Sequence, residues 1–181
     1  MTFLTVSAWS QEDKIKSTIE TYFGLIENRE IAKALDYVHP ELIDMLGKDF
    51  YVDQYDMIFN SPGIEISLDS FKTKSISEGF KYEEQTYVLV KYAHNMTFKV
   101  DMSDDKEGFF AQLLLGSYQG KFGKENVTFQ EPGTYVIDVR KDMYAIQSPA
   151  FEGWKIIEYE ESMNMFLEKI IPTTVRTHYN N

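Results

Sequence analysis

The sequence predicts an α+β fold in which N-terminal helices pack on a curved antiparallel sheet that is followed by a C-terminal helix. Three observations predict it. Helical spacing of apolar residues dominates the chain up to residue 59, two-residue alternation dominates from residue 64 to residue 158, and an apolar helical stripe follows. Helices first and strands afterwards indicate an antiparallel sheet, because parallel sheets need a crossover helix between strands.

The first helix is predicted over residues 11–27. Its apolar residues recur at the spacing of one helix face: Ile15, Ile19, Tyr22, Phe23 and Ile26. Ser10 suits the N-cap, and the acidic residues that follow suit the positive end of the helix dipole.

Three shorter helical segments are predicted before the sheet. Ile31, Leu35 and Val38 indicate a short helix that ends before Pro40, because the residue before a proline is disfavoured in helical conformation. The segments PELIDMLG and FYVDQYDMIF then predict two more helices, the second closed by the turn sequence NSPG.

Two strands open the sheet. In IEISLDSF the alternation slips by one residue before Phe71, which predicts a β-bulge. Residues 85–101 then alternate over a length beyond that of an ordinary strand, which predicts a long, bent strand with one buried face. The residues on that face are Val88, Val90, Tyr92, His94, Met96, Phe98 and Val100.

The remaining elements are predicted from shorter patterns. GFFAQLLLGSYQG has a helical stripe that its glycines weaken, so its state is left open. NVTF, TYVIDVR and MYAIQS are predicted strands, with a Lys-Asp connection between the last two, and GWKIIEYE is the predicted last strand. A closing helix begins at about Ser162 and stops at Pro172. Residues 173–181 are predicted to be a flexible tail.

Composition limits the functions that this chain can have. Its 181 residues predict one domain, placed at residues 11–172. The net charge of −11 disfavours binding to nucleic acid or to an anionic membrane surface. The absence of cysteine excludes disulfides, thiolate zinc sites and cysteine nucleophiles.

Residues 1–10 are interpreted as the remnant of a signal peptide. Phe3, Leu4 and Val6 are apolar, and Ala8-Trp9-Ser10 has the small-x-small pattern of a signal-peptidase site, although a basic region is missing. These residues are not expected to continue the helix that follows. We therefore predict a periplasmic or secreted protein, the alternative being an ordinary cytoplasmic N-terminus.

The order of these elements resembles the NTF2-like superfamily of cone-shaped α+β domains. The N-terminal helical group and the antiparallel series closing on GWKIIEYE are similar to that family's pattern, and the final strand followed by FLEKIIPTTV resembles uncharacterised exported bacterial members. The resemblance implies a cavity between helices and sheet. The GFFAQLLLGSYQG insertion and the closing helix depart from many members, and both are expected near the open end of the cone.

Motifs for phosphate and metal binding are incomplete, so no cofactor and no metal are predicted. GSYQGKFGK is one residue short of a P-loop and has Phe122 where that motif needs Ser or Thr. The segment from Asp101 lacks the glycine and the final glutamate of a calcium loop. The three histidines do not have zinc-site spacing.

His94 is the one candidate for catalysis, because alternation places it on the predicted cavity wall, where an imidazole can act as acid or base. The alternative is a packed histidine hydrogen-bonded to a backbone carbonyl or a tyrosine. Tyr22, Tyr92 and Trp154 are predicted with His94 to contact a ligand, although packing is the default role of each. The resemblance transfers no catalytic residue to this chain.

The sequence is compatible with two functions. The first is a non-enzymatic domain that binds a small apolar ligand or a protein partner. The alternative is a small isomerase, dehydratase or hydrolase that uses His94 together with a carboxylate or tyrosine within hydrogen-bonding reach. A homodimer formed through the sheet is compatible with either function.

Overall fold

The computed structural model describes residues 5–105, 107–130, 133–160 and 163–180, and its elements confirm the predicted α+β class. The helices are α1 (Thr5–Glu27), α2 (Ile31–Ala34), α3 (Pro40–Leu46), α4 (Lys48–Phe59), α5 (Phe109–Phe122), α6 (Asn164–Ile170) and α7 (Thr173–Asn180). The strands are β1 (Ile64–Ile76), β2 (Phe80–Tyr82), β3 (Gln85–Val100), β4 (Val127–Gln130), β5 (Thr134–Gln147) and β6 (Trp154–Glu158). Within the described ranges, none of these helices has the length and hydropathy that a bilayer-spanning segment requires.

All the strand pairs of the sheet are antiparallel, and the sheet is curved and does not close into a barrel. The order along it is β1-β3-β5-β4, with β2 also paired to β3 and β6 also paired to β5. The two long central strands align so that Tyr92 lies opposite Lys141 and His94 lies opposite Val139. Paired residues point to the same side of a sheet, so this register decides which residues of β3 and β5 meet.

The predicted bulge in β1 is present. The register between β1 and β3 shifts between Asp69 and Lys72, and Ser70 has a positive φ of 60°. A bulge bends its strand and increases the local twist. The slip brings Phe71 onto the concave face, where its ring stacks on Phe23 of α1 at a centroid distance of 4.0 Å.

The concave face of the sheet packs against α1, as the alternation in β3 predicts. Val88, Val90 and Tyr92 are almost completely buried, and His94 is buried as well. Further along β3 the same face is only partly buried. The apolar stripe of α1 covers this surface because its residues fall on one helix face.

The GFFAQLLLGSYQG insertion is helical despite its glycines, as its apolar stripe indicates. This helix, α5, covers the end of the concave face at which β3 finishes, and it forms a second, small core. The ring of Tyr118 stacks on Phe98 at 4.9 Å, and the hydroxyl of the buried Tyr135 donates a hydrogen bond to the Ala111 carbonyl oxygen at 2.9 Å. Packing on the sheet supplies the stability that the glycines remove.

The first helix is longer than the sequence predicts. It begins at Thr5, so Ser10 lies inside α1 and is not its N-cap. The expectation that residues 1–10 do not continue the helix is therefore wrong for residues 5–10. The segment contains neither proline nor glycine, so nothing in it stops a helix from extending toward the N-terminus. Residues 1–4 lie outside the described part of the chain.

The predicted Lys-Asp connection is not a turn. Lys141 and Asp142 continue β5, opposite Tyr92 and Lys91 of β3, so TYVIDVR and MYAIQS belong to one strand. Two charged residues are typical of a turn, but here a long neighbouring strand with unbroken register keeps them extended. The continuous strand places Lys141 beside Tyr92 at the site.

The C-terminal segment holds a helix where a flexible tail is predicted. Val175 of α7 is fully buried, and the Tyr179 hydroxyl lies 2.6 Å from the Tyr87 carbonyl oxygen. Tyr179 also packs near Tyr144, on the opposite side of the sheet from the α1 contact. These contacts order a segment whose composition alone does not favour a helix.

Candidate functional site

A cavity of about 300 Å³ lies between the N-terminal helices and the concave face of the sheet. Apolar side chains form most of its lining, including Phe23, Ile26, Leu42, Leu68, Phe71 and Met96. Polar groups are also present, and they come from α1, α4, β3, β5 and β6. A mostly apolar cavity with a small number of convergent polar groups is the usual form of a small-molecule site.

The centre of the polar part is the carboxylate of Glu158 at the end of β6. Tyr22 donates its hydroxyl proton to Glu158 Oε1 at 2.8 Å, and Tyr92 donates to Oε2 at 2.6 Å. Burial first, and then the negative charge of Glu158, raise the pKa of both tyrosine hydroxyls far above the ordinary value. Both tyrosines therefore stay protonated and act as donors to the carboxylate.

Glu158 is a site residue that the sequence patterns did not single out. Trp154, Ile156 and Glu158 alternate along β6, so the carboxylate shares the inner face with two buried apolar residues. The alternation within GWKIIEYE was enough to place this glutamate on the inner face. The sequence gives no sign of its two tyrosine partners, because Tyr22 is 136 residues away along the chain and Tyr92 is 66 residues away.

Two further tyrosines from α4 line the cavity. Burial, followed by the negative charge of Glu158, raises the pKa of the Tyr51 hydroxyl to about 12, and it raises the pKa of Tyr55 as well. The Tyr51 hydroxyl oxygen is buried and has no hydrogen-bond partner among the described residues. Tyr55 lies close enough to Tyr22 for their hydroxyl groups to interact. Among the described lining residues, the Tyr51 hydroxyl is thus the buried polar group without a hydrogen-bond partner.

Lys141 and Glu160 add an ion pair to the cavity wall. The Lys141 ammonium contacts Glu160 Oε1, and both side chains are partly exposed, at 28% and 41%. The pair comes from β5 and from the residues just after β6. Since Lys141 is engaged by Glu160, the charge of Glu158 is stabilised mainly by the hydroxyls of Tyr22 and Tyr92.

His94 lines the cavity, as predicted, and its surroundings support packing more than catalysis. Its ring stacks on Phe71 at 4.7 Å, and Nδ1 lies 3.3 Å from the carbonyl oxygen of Asn95. Burial lowers the pKa of the His94 imidazole, so the ring is neutral at pH 7. The hydrogen bond to a backbone carbonyl is the arrangement expected for a packed histidine.

Trp154 is not brought together with the other three predicted ligand contacts. Its side chain is buried in the core at the start of β6, away from the cavity lining. Tyr22, Tyr92 and His94 all line the cavity. Alternation placed Trp154 on the correct face of β6. It lies four residues before Glu158, however, and Glu158 is the β6 residue that reaches the polar centre.

A second depression, of about 400 Å³, lies between α2 and α4 and is more open to solvent. The guanidinium of Arg29 covers the Phe59 ring there, 4.9 Å from its centroid. No tyrosine hydroxyl or buried carboxylate faces it among its described lining residues. Within the described ranges, no group of three or more His, Asp or Glu side chains is arranged to hold a metal ion.

Comparisons with known proteins do not add a family to this description, because no protein-family model and no curated protein sequence matches the chain. The structure itself defines the class: an α+β protein with a tyrosine-lined, largely apolar cavity on the concave face of a curved antiparallel sheet.

Proposed function

We propose that this chain is an NTF2-like domain that binds a small, mostly apolar ligand in the cavity and does not catalyse its conversion. The support for the NTF2-like assignment is the resemblance in element order, together with a curved sheet that packs its concave face against N-terminal helices. Export from the cytoplasm and dimerisation through the sheet stay predictions.

One observation carries the binding proposal: an apolar cavity of about 300 Å³ that contains a carboxylate with tyrosine partners on both oxygens. This volume falls at the lower end of the range for small-molecule sites, and the polar groups converge on one point of an apolar wall. A protein core of this size ordinarily fills such a space with side chains. A ligand would fill it here.

The alternative, catalysis by His94, has less support. It requires a carboxylate or a tyrosine hydroxyl within hydrogen-bonding reach of the imidazole, whereas the hydrogen bond of His94 goes to the backbone of Asn95. The carboxylate in the cavity is instead bonded to Tyr22 and Tyr92. We therefore place His94 among the residues that shape the cavity.

The proposal is tested by filling the cavity with a larger side chain placed on β1. Leu68 lines the cavity and is partly buried, whereas the neighbouring Ser67 is exposed and points to the other side of the sheet. We expect small molecules extracted from the purified wild-type protein to be detected by mass spectrometry. Leu68→Trp should abolish their recovery, because the indole occupies the space that they need.

Ser67→Trp is the matched control, since it adds the same side chain at the adjacent position without entering the cavity. It should retain the wild-type amount of bound molecule. Circular dichroism confirms that both variants are folded. Equal recovery from the two tryptophan variants would contradict the proposal, as would folded wild-type protein from which no small molecule is recovered.

A further inference from the structure

The cavity contains a partly buried carboxylate, that of Glu158, which forms no ion pair within the described part of the chain. Glu158 forms no ion pair with a lysine, arginine or histidine among the described residues, and its two oxygens are hydrogen-bonded only by neutral tyrosines. Even partial burial of a carboxylate without an opposite charge has a cost, and hydrogen bonds offset that cost only in part. The site is therefore favourable for a positively charged ligand group.

The other charges of the lining do not change this balance. Lys141 alone is positively charged among the described lining residues, and Glu160 already pairs with it. His94 is held neutral by burial. One negative charge is left over, on Glu158. The net charge of −11 on the whole chain adds a field that attracts cations.

The hydrogen-bonding capacity of the site also favours a ligand with N–H donors. A tyrosine hydroxyl has one proton to donate, and Tyr22 and Tyr92 both donate theirs to Glu158. Their oxygens can then serve a ligand only as acceptors. The buried Tyr51 hydroxyl has no partner among the described residues, and it lies close enough to Glu158 for the carboxylate charge to raise its pKa. The oxygens of Glu158, Tyr22 and Tyr92 are therefore acceptors that suit a ligand with N–H donors. The Tyr51 hydroxyl can accept one further bond as well as donate one.

Aromatic rings complete the surroundings. Tyr22, Phe23, Tyr55, Phe71 and Tyr92 all line the same cavity. Phe71 is stacked between Phe23 and His94, so these rings offer an apolar ligand body mainly packing surface. An inorganic ion would leave most of this apolar surface uncovered, whereas an organic cation uses both the carboxylate and the rings.

From these observations we propose that the ligand of the cavity is a small apolar amine, whose ammonium group binds at Glu158 between the tyrosines and whose hydrocarbon part fills the apolar wall. This inference rests on the proposed binding function and names the chemical class of its ligand.

The test compares three probes of the same shape and different charge. They are 2-phenylethylamine, 2-phenylethanol and phenylacetate, each titrated into the protein by isothermal calorimetry at pH 7. We expect the amine to bind at least about tenfold more tightly than the alcohol, because a charge-assisted hydrogen bond to a partly buried carboxylate has no equivalent in the neutral probe. Phenylacetate should not bind, since its charge repels Glu158.

Two variants test the role of the charge in opposite directions. Glu158→Gln keeps an oxygen that can accept a hydrogen bond from one of the tyrosines. This variant should bind the amine and the alcohol with about equal affinity. Lys141→Met removes the positive charge that competes with the ligand and should tighten amine binding. Because the second variant is expected to gain affinity, a folding defect cannot imitate the result.

Glu152→Gln is the matched control, because Glu152 is exposed just before β6 and the substitution changes the net charge equally. It should leave the affinity for the amine unchanged. Equal or weaker binding of the amine than of the alcohol overturns the proposal, and so does an amine preference that survives Glu158→Gln. Binding of the alcohol or the carboxylate without an amine preference overturns the ligand class alone and leaves the binding function standing.

Discussion

His39 shows how a single residue can oppose folding at acidic pH. Its side chain is 4% exposed, its ring meets Phe151 edge-on at 5.2 Å, and neither ring nitrogen has a hydrogen-bond partner among the described residues. Burial, with a smaller effect of the positive charge of Lys155, lowers the pKa of the His39 imidazole from 6.5 to about 4. The folded protein therefore holds this histidine neutral.

The sign of the pH effect follows from this difference. Between pH 6.5 and pH 4 the unfolded chain binds a proton at His39 that the folded chain does not bind. The free energy of unfolding should therefore fall as the pH is lowered through this window, by up to about 3 kcal/mol from this residue. We expect His39→Leu to make the decrease less steep, as measured by urea denaturation at pH 7, 5 and 4.

The control is His178→Gln, because His178 is exposed on α7. Its denaturation is measured at the same three pH values, so that the loss of a buried histidine is compared with the loss of an exposed one. If His39→Leu and the wild type lost equal stability between pH 6.5 and pH 4, the buried neutral state of His39 would be refuted.

At the scale of the element, the bulge in β1 depends on Ser70. This residue has a φ of 60°, which costs a non-glycine residue energy and costs a β-branched residue more. Ser70→Val should lower the free energy of unfolding by about 1–3 kcal/mol, because valine tolerates this backbone conformation poorly. Ser70→Gly should be neutral or stabilising. Chemical denaturation measures both changes.

Ser67→Val provides the comparison within the same strand. Ser67 is exposed, lies opposite Thr97 in regular register and is not among the residues with positive φ. The substitution there should be neutral or slightly stabilising, because valine favours extended backbone. A similar loss of stability at both positions would show that the cost is not due to the backbone of the bulge.

At the scale of the whole molecule, α7 links the C-terminus to the middle of the chain through Tyr179. Its hydroxyl lies 2.6 Å from the Tyr87 carbonyl oxygen and accepts a hydrogen bond from the Phe80 backbone N–H at 3.2 Å. Tyr179→Phe should lower the free energy of unfolding by about 1–3 kcal/mol, because it leaves partly buried backbone groups without a partner. Thermal and urea denaturation give the value.

Tyr159→Phe is the control for this change, since Tyr159 is 40% exposed. It should alter stability by less than about 0.5 kcal/mol, as is usual for surface substitutions. If Tyr179→Phe had as small an effect as the control, α7 would not be held to the sheet by this hydroxyl.

Much of the fold could be predicted because its elements have strong local patterns. The stripe of α1, the alternation of β3 and the slip before Phe71 each reflect a face that must be buried. The same logic placed Tyr92 and His94 on the cavity wall. It failed where local composition was overruled by a neighbour, at Lys141 in β5 and at Tyr179 in α7.

The sequence by itself determined which face of each element is apolar, because burial requires a periodicity that is visible in the residues. The tertiary structure alone decided which polar groups meet. Glu158, Tyr22 and Tyr92 come from the last strand, the first helix and a central strand, and no local pattern encodes their contact. The physical reason is that hydrogen bonds between distant segments depend on register and helix placement, which the packing of the whole chain sets.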